Sequence, residues 1–190
     1  MNIIELTGTA DASGDLTLTG SSEIGAIEKI IFDYSDGDAI ADLVITEVAA
    51  VAQPILTVTN LGVADLTWFP RTLANKVADA SAFTDVAEKI FVTGKMTAVI
   101  SGSTVAIGGI DGDTTTITVD TSAAHNLVAG DTVTIAGTVS YDGTYTVATK
   151  TDADTFTIAS TDHNDASEST GTMIHGGATY RLLVYLSDVD

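Results

Sequence analysis

Three histidines are the first candidates for chemistry, because imidazole binds metals and exchanges protons near neutral pH. His125, His163 and His175 lie far apart in the chain, and none has a second ligand at the spacing of a known metal motif. His125 falls in a predicted turn, where a local hydrogen bond within the loop is the simpler role. We therefore expect neither a metal site nor a catalytic histidine.

Two Asp-Gly-Asp triplets, at residues 36–38 and 111–113, are candidates for calcium binding because calcium prefers carboxylate ligands. Neither triplet continues as Asp-x-Asp-x-Asp-Gly with a glutamate closing the loop, as an EF-hand requires. Aspartate and glycine are also the usual residues of tight turns. The triplets therefore predict turns, the polar segment 162–165 predicts a loop, and no cofactor is expected.

Catalytic motifs are absent from the sequence. It contains no Gly-x-Ser-x-Gly, His-Glu-x-x-His or Gly-x-x-x-x-Gly-Lys-Ser/Thr segment. The 7 basic residues leave little for handling phosphate groups, and 26 acidic residues make any single carboxylate pair uninformative. The sequence therefore predicts a protein that is not an enzyme.

The segment Trp68-Phe69-Pro70-Arg71 is the best candidate for a contact site. Aromatic residues and arginine are enriched at the centres of protein interfaces, so Trp68, Phe69 and Arg71 are candidate interface anchors. The alternative is a tryptophan in the core followed by a proline on an edge strand. The sequence alone leaves both interpretations open.

The formal net charge of −19 limits the choice of partners. An acidic surface repels nucleic acid and anionic lipid, so we expect neither nucleic acid nor a membrane as a partner. Such a charge keeps a protein soluble at high concentration, or alternatively docks it on a basic surface. The chain has no cysteine, no recognisable signal peptide and no apolar run long enough for a bilayer. We expect a soluble protein made in a cytoplasm.

The elements that position these residues are predicted to be β-strands. The clearest signal is alternation of β-branched or aromatic residues with others, which is the period-2 pattern of half-buried strands. Four such runs, separated by turns rich in Gly and Asp, cover residues 115–120, 131–136, 143–148 and 155–159. They predict a small antiparallel barrel or sheet.

Further strands are expected on both sides of this group. They cover residues 3–9, 15–20, 24–34, 39–48, 55–60, 86–93, 95–100 and 179–186. Residues 48–52 are ambiguous, because alanine favours a helix and Pro54 would end one. The alanine-rich, polar residues 72–82 predict a loop, with a single helical turn within it as the alternative.

The domain organisation follows from a change of pattern at residue 103. Glycine-rich joins at residues 108–112 and 176–177 flank the four central runs. Because sequential strands usually pair and loop tips tolerate insertions, we expect residues 95–100 and 179–186 to form a hairpin interrupted by a module. The predicted fold is all-β: an antiparallel β-sandwich of residues 1–102 and 178–190, with a small barrel-like β-module inserted at residues 103–177.

The inserted module resembles a β-module found in many virion proteins of tailed phages. It is also similar in pattern to the first catalytic-cysteine half-domain of ubiquitin-activating enzymes. The resemblance rests on four segments: AHNL at 124–127, AGDTVTIAG at 129–137, DGTYTV at 142–147 and TFTI at 155–158. Because the chain lacks cysteine, it implies a shared fold and no thioester chemistry.

The predicted sandwich resembles small β-sandwich proteins encoded beside tailed-phage capsid genes. The matching segments are IEKIIFDY at 27–34, DLVIT at 42–46, WFPR at 68–71, KMTAVI at 95–100 and TYRLLVYL at 179–186. This resemblance implies a virion structural protein, most readily a capsid decoration or cement protein on the capsid surface. The implied partners are the major capsid protein and further copies of the chain, with a trimer favoured over a dimer. The alternative is a tail, neck or fibre component that binds a receptor or carbohydrate, which clustered exposed aromatics on the module would favour.

Overall fold

The computed structural model describes residues 2–34, 41–48, 53–62, 64–75, 82–160 and 165–187, with the backbone alone at residues 34, 53, 71–75, 82–89 and 91. Every regular element within these ranges is a β-strand. The all-β class predicted from the alternating pattern is therefore confirmed. None of the described residues belongs to a helix that could span a membrane.

Two antiparallel sheets form the sandwich. Sheet A has the order β1 (Asn2–Thr9), β17 (Thr179–Ser187), β3 (Gly25–Tyr34), β6 (Leu66–Trp68), and β9 (Phe91–Val92) also pairs with β3. Sheet B has the order β2 (Leu16–Ser22), β10 (Lys95–Ser101), β4 (Asp42–Val48), β5 (Gln53–Val58). A separate two-stranded sheet contains β7 (Arg71–Asn75) and β8 (Ala82–Lys89).

The sandwich core lies between the inner faces of sheets A and B. Strand β10 shows the cause, since buried Met96, Ala98 and Ile100 alternate with more exposed residues. Phe32 of β3 and Tyr180 of β17 are also buried, and their ring centroids are 5.9 Å apart. Burying each large apolar side chain contributes about 1.5–3 kcal/mol, so this shared core holds the two sheets together.

The inserted segment forms a closed six-stranded barrel. Its order is β11 (Thr104–Gly112), β12 (Thr116–Thr121), β15 (Thr155–Ala159), β14 (Gly143–Lys150), β13 (Thr132–Ala136), β16 (Thr172–Gly176). The barrel has its own buried core, with Tyr141 and Phe156 as its largest fully buried side chains. Four of its strands match the four alternating runs in the sequence.

The other two barrel strands were not predicted. The sequence predicts glycine-rich joins at residues 108–112 and 176–177, but residues 108–112 belong to β11 and residue 176 ends β16. The pairing of β11 with β12 shifts register between Ile107 and Gly109, which marks an irregularity at the glycines. Glycine inside a strand is typical of such bulges, so it did not signal the end of the element.

The predicted hairpin between residues 95–100 and 179–186 is wrong. Strand β10 lies between β2 and β4 in sheet B, whereas β17 lies between β1 and β3 in sheet A. Both edges of each strand are therefore already paired. The preference for sequential pairing holds for short connections, and the barrel between the two strands lets them join opposite sheets.

The loop predicted at residues 72–82 is also wrong in part. Residues 72–75 and 82 lie in β7 and β8, which pair from Arg71 opposite Lys89 to Asn75 opposite Ala82. Strand propensity depends strongly on context, and a hairpin partner overrides the weak preference of alanine. The ambiguous residues 49–52 lie outside the described ranges.

Candidate interaction surface

The predicted anchor segment lies at the edge of sheet A, where its side chains point in different directions. Trp68 is half-buried, and its ring centroid lies 6.5 Å from that of the core residue Phe32. Phe69, directly after β6, is 63% exposed, whereas Pro70 is buried. The Arg71 side chain lies outside what the structure describes. Trp68 thus packs on the core, and Phe69 is the anchor candidate that faces solvent.

The solvent side of sheet A carries further apolar side chains. Strand pairing sets Ile3 of β1 beside Tyr185 of β17, and Tyr185 beside Lys29 of β3. Ile3 is 52% exposed, and the Lys29 ammonium lies 4.3 Å from the centroid of the Tyr185 ring, at cation–π distance. We call this surface the Tyr185 face, comprising Ile3, Lys29, Ile31, Leu183 and Tyr185.

An ion triad borders the Tyr185 face. The Arg181 guanidinium donates from Nε to Glu5 Oε1 at 2.8 Å and from Nη1 to Asp33 Oδ2 at 2.9 Å. These bonds link the neighbouring strands β1, β17 and β3. The two carboxylates raise the pKa of Arg181, and Glu5 has the larger effect. All three side chains are well exposed, so the triad adds little stability and mainly fixes charge at this edge.

Two of the three histidines are buried in the barrel. His125 Nδ1 accepts a hydrogen bond from the Leu127 N–H at 3.0 Å, which is the local loop contact expected from the sequence. Its ring meets Phe156 edge-on at 5.1 Å. His175 Nε2 lies 3.4 Å from Asp131 Oδ2. The remaining ring nitrogens, His125 Nε2 and His175 Nδ1, are buried without a hydrogen bond of good geometry.

Burial controls the protonation of His125. Removal from water lowers its pKa, and the positive charge of Lys150 acts in the same direction, while the Thr155 carbonyl and the Asp152 carboxylate oppose the shift. The ring is therefore neutral near neutral pH. Burial of His175 was missed, although its place two residues after buried Met173 in an alternating run was a usable signal.

The turn predicted for the acidic triplet at residues 111–113 is present only at its last residue. Asp111 and Gly112 belong to β11, where they pair with Thr118 and Ile117, and Asp113 begins the connection to β12. Asp113 Oδ1 accepts hydrogen bonds from the Thr115 N–H at 2.7 Å, the Thr115 hydroxyl at 2.8 Å and the Thr116 N–H at 2.7 Å. These hydrogen bonds lower the pKa of Asp113, and those from Thr115 have the largest effect. Within the described residues no group of three or more His, Asp or Glu side chains could hold a metal ion. Residues 36–38 and 162–164, including His163, lie outside those residues.

The turn at residues 11–15, between β1 and β2, attaches the barrel to the sandwich. The Thr134 hydroxyl of β13 donates to the Ala12 carbonyl at 2.9 Å. Where the chain enters the barrel, the Gly102 N–H donates to Asp15 Oδ1 at 3.2 Å. The barrel is therefore held by tertiary hydrogen bonds as well as by its two covalent connections.

Backbone packing tightens the same attachment where the chain leaves the barrel. A Cβ on Gly176 would lie 2.8 Å from both the Ala12 Cα and the Asp11 carbonyl oxygen, closer than a side chain tolerates. The Gly177 N–H donates to that Asp11 carbonyl at 3.1 Å. We call the contacts of residues 11–15 with the barrel and its two connections the joint.

The aromatic side chains of the barrel point into its core. Tyr141 and Phe156 are fully buried, and Tyr145 is packed against the same core. The Tyr141 hydroxyl accepts from the Gly112 N–H at 3.1 Å, and the Tyr145 hydroxyl donates to the Tyr141 carbonyl at 3.0 Å. The exposed apolar residue that stands out on the barrel is Val139, at 90% exposure.

Together these features define an all-β protein in which a closed barrel is attached to a sandwich through a tight joint. Comparison with known proteins adds no relative, since no family model, no curated protein and no solved structure matches the chain.

Proposed function

We propose that the chain is a non-enzymatic structural protein of a tailed-phage virion, and that it binds the capsid surface as a decoration or cement protein. Its partners are the major capsid protein and further copies of itself. The family resemblance of the sandwich segments suggests this role, and the observation that carries it is the Tyr185 face with the neighbouring exposed Phe69.

The Tyr185 face suits docking because it combines apolar area with a few fixed charges. Interface centres favour aromatic residues, whereas bordering charges select the partner and its orientation. Tyr185 and Phe69 supply the aromatic groups, and the Arg181 triad supplies the border. These groups belong to the sandwich, so the sandwich is the part that binds the capsid.

The joint supports the same proposal. A cement protein stabilises a shell by bridging neighbouring subunits, and a rigid body transmits that restraint better than a flexible one. Repeating a modest contact around a symmetry axis adds avidity without a large single interface. With the sandwich on the capsid, the barrel projects at an orientation that the joint fixes.

Clustered exposed aromatics on the barrel would favour the alternative, a tail, neck or fibre component that binds a receptor or carbohydrate. The three aromatic side chains of the barrel instead face its core. No observation on the described residues favours this alternative over the cement role.

Co-sedimentation with undecorated capsids tests the proposal. Phe69→Ser should weaken capsid binding about tenfold, as expected when an interface anchor is removed, without unfolding the chain, because Phe69 is mostly exposed. Val139→Ser is the matched control, since it removes an even more exposed apolar side chain from the barrel. No co-sedimentation at any salt concentration, or binding to tails alone, would reject the cement role and promote the alternative.

A further inference from the structure

The solvent face of sheet B differs from the Tyr185 face because its centre carries no charge. Cross-strand pairing places two rows of residues there, one on each side of the sheet centre. We call them the threonine–valine face: Thr17, Val99, Val44 and Thr57 in one row, and Thr19, Thr97, Thr46 and Pro54 in the other. The four residues of these rows that lie on the outer strands β2 and β5 are exposed, and on the inner strand β10 Val99 is 38% exposed.

An uncharged face matters in a chain whose net charge is −19. Two copies repel each other over acidic surface, and this repulsion is smallest where both present neutral side chains. Threonine and valine are short and β-branched, with few rotamers to lose on contact. A neutral face of this kind fits a second copy of itself better than it fits a charged partner.

Opposite charges lie at the two ends of this face. Lys95 pairs with Val48 at one end of the β10–β4 ladder, and Ser101 pairs with Asp42 at the other. Strict alternation along β10 directs Lys95 outward, and Asp42 precedes inward-facing Leu43. Six residues of strand separate the two ends, or about 20 Å. Lys95 makes no ion pair with the described residues.

We propose that the threonine–valine face binds the same face of a second copy about a two-fold axis perpendicular to the strands. This axis lies in the plane of the interface and reverses the strand direction of the second copy, so Lys95 of each copy lies over the Ser101–Asp42 end of the other. Both ends of the interface then carry complementary charge, which is the self-complementarity that a two-fold contact requires. The proposal favours a dimer over the trimer expected from the sequence, and it does not depend on capsid binding.

The size of the face sets the expected strength. Four strands at about 4.8 Å spacing and about 20 Å of length give a projected area of about 400 Å² per copy. Two such areas fall below the roughly 1,600 Å² buried in a standard stable interface. The dimer should therefore be reversible and concentration-dependent, with mass-action dissociation on dilution.

Sedimentation velocity of the purified full-length chain over a dilution series tests the proposal. We expect reversible conversion between one-copy and two-copy species. Val99→Asp should raise the dimer dissociation constant at least about tenfold, because it buries a carboxylate of each copy near the two-fold axis, opposite the neutral Thr97 row of the other copy and close to its like charge. The matched control, Thr7→Asp, adds the same charge beside Arg181 on the exposed side of sheet A and should leave dimerisation unchanged.

A charge exchange separates the proposed geometry from general repulsion. Lys95→Asp should weaken the dimer by setting two carboxylates together, and adding Asp42→Lys should restore it with the pairs reversed. Circular dichroism shows whether each variant keeps its β-sheet signal. A chain that stays monomeric up to about 1 mM, a three-copy species, or a folded double variant that does not regain dimerisation would each overturn the proposal.

Discussion

The joint depends on a backbone contact that one methyl group should disrupt. Gly14 has a φ of +74°, and a Cβ there would lie 2.9 Å from both the Gly102 Cα and the His175 carbonyl oxygen. Gly62 has a similar φ of +80°, but a Cβ there would meet nothing within 4 Å. Gly14→Ala and Gly62→Ala therefore share the same conformational strain and differ in the overlap.

The two costs can be separated. Placing alanine in the left-handed region costs about 1–2 kcal/mol at either position. Overlap with backbone that cannot rotate away adds about 1–3 kcal/mol at Gly14. The free energy of unfolding should therefore fall by about 1–2 kcal/mol in Gly62→Ala and by about 2–5 kcal/mol in Gly14→Ala.

Urea denaturation followed by circular dichroism measures these differences, and residual dipolar couplings report how the barrel is oriented on the sandwich. We expect the couplings of the two parts to fit one alignment tensor in the wild type and in Gly62→Ala, and two tensors in Gly14→Ala. Equal destabilisation by both substitutions, or one tensor in all three proteins, would show that the joint does not fix the barrel.

Two further predictions concern the barrel. Phe156→Ala in the barrel and Phe32→Ala in the sandwich each empty a fully buried aromatic site, and each should lower the free energy of unfolding by about 3–5 kcal/mol. In calorimetry, Phe156→Ala should lower the melting temperature of a barrel transition alone, and Phe32→Ala that of a sandwich transition alone. A shift of both transitions in either variant would contradict two separate cores. Burial lowers the pKa of His125, so as the pH falls below about 6.5 the unfolded chain binds a proton that the folded barrel does not. Barrel stability should then fall by up to about 1.4 kcal/mol per pH unit, and His125→Asn should flatten this slope; an unchanged slope would refute the assignment.

The sequence predicts the strands best where burial on one face alternates regularly. Strands β12, β13, β14 and β15 were located almost to the residue because β-branched side chains recur at every second position. Strand β11 was missed since Gly108 and Gly109 belong to an irregular pairing, and local sequence does not distinguish such a bulge from a loop.

Long-range placement was harder to predict. Whether β10 and β17 share a sheet depends on which inner faces pack together, and neither strand's pattern contains that information. The anchor segment raised the same difficulty at the scale of single residues. Successive side chains at this sheet edge point to opposite faces, so Trp68 packs inward and Phe69 is exposed. The sequence did not show which of the two would face the core.

The joint also has a consequence for how this protein can be engineered. One short turn contacts both the entry connection, at Gly102, and the exit connection, at Gly177. Among the residues whose side chains the structure describes, the sandwich core contains none from the barrel and the barrel core none from the sandwich. A foreign domain with neighbouring termini is therefore expected to replace the barrel without repacking the sandwich core, which would make the sandwich a platform for displaying other domains.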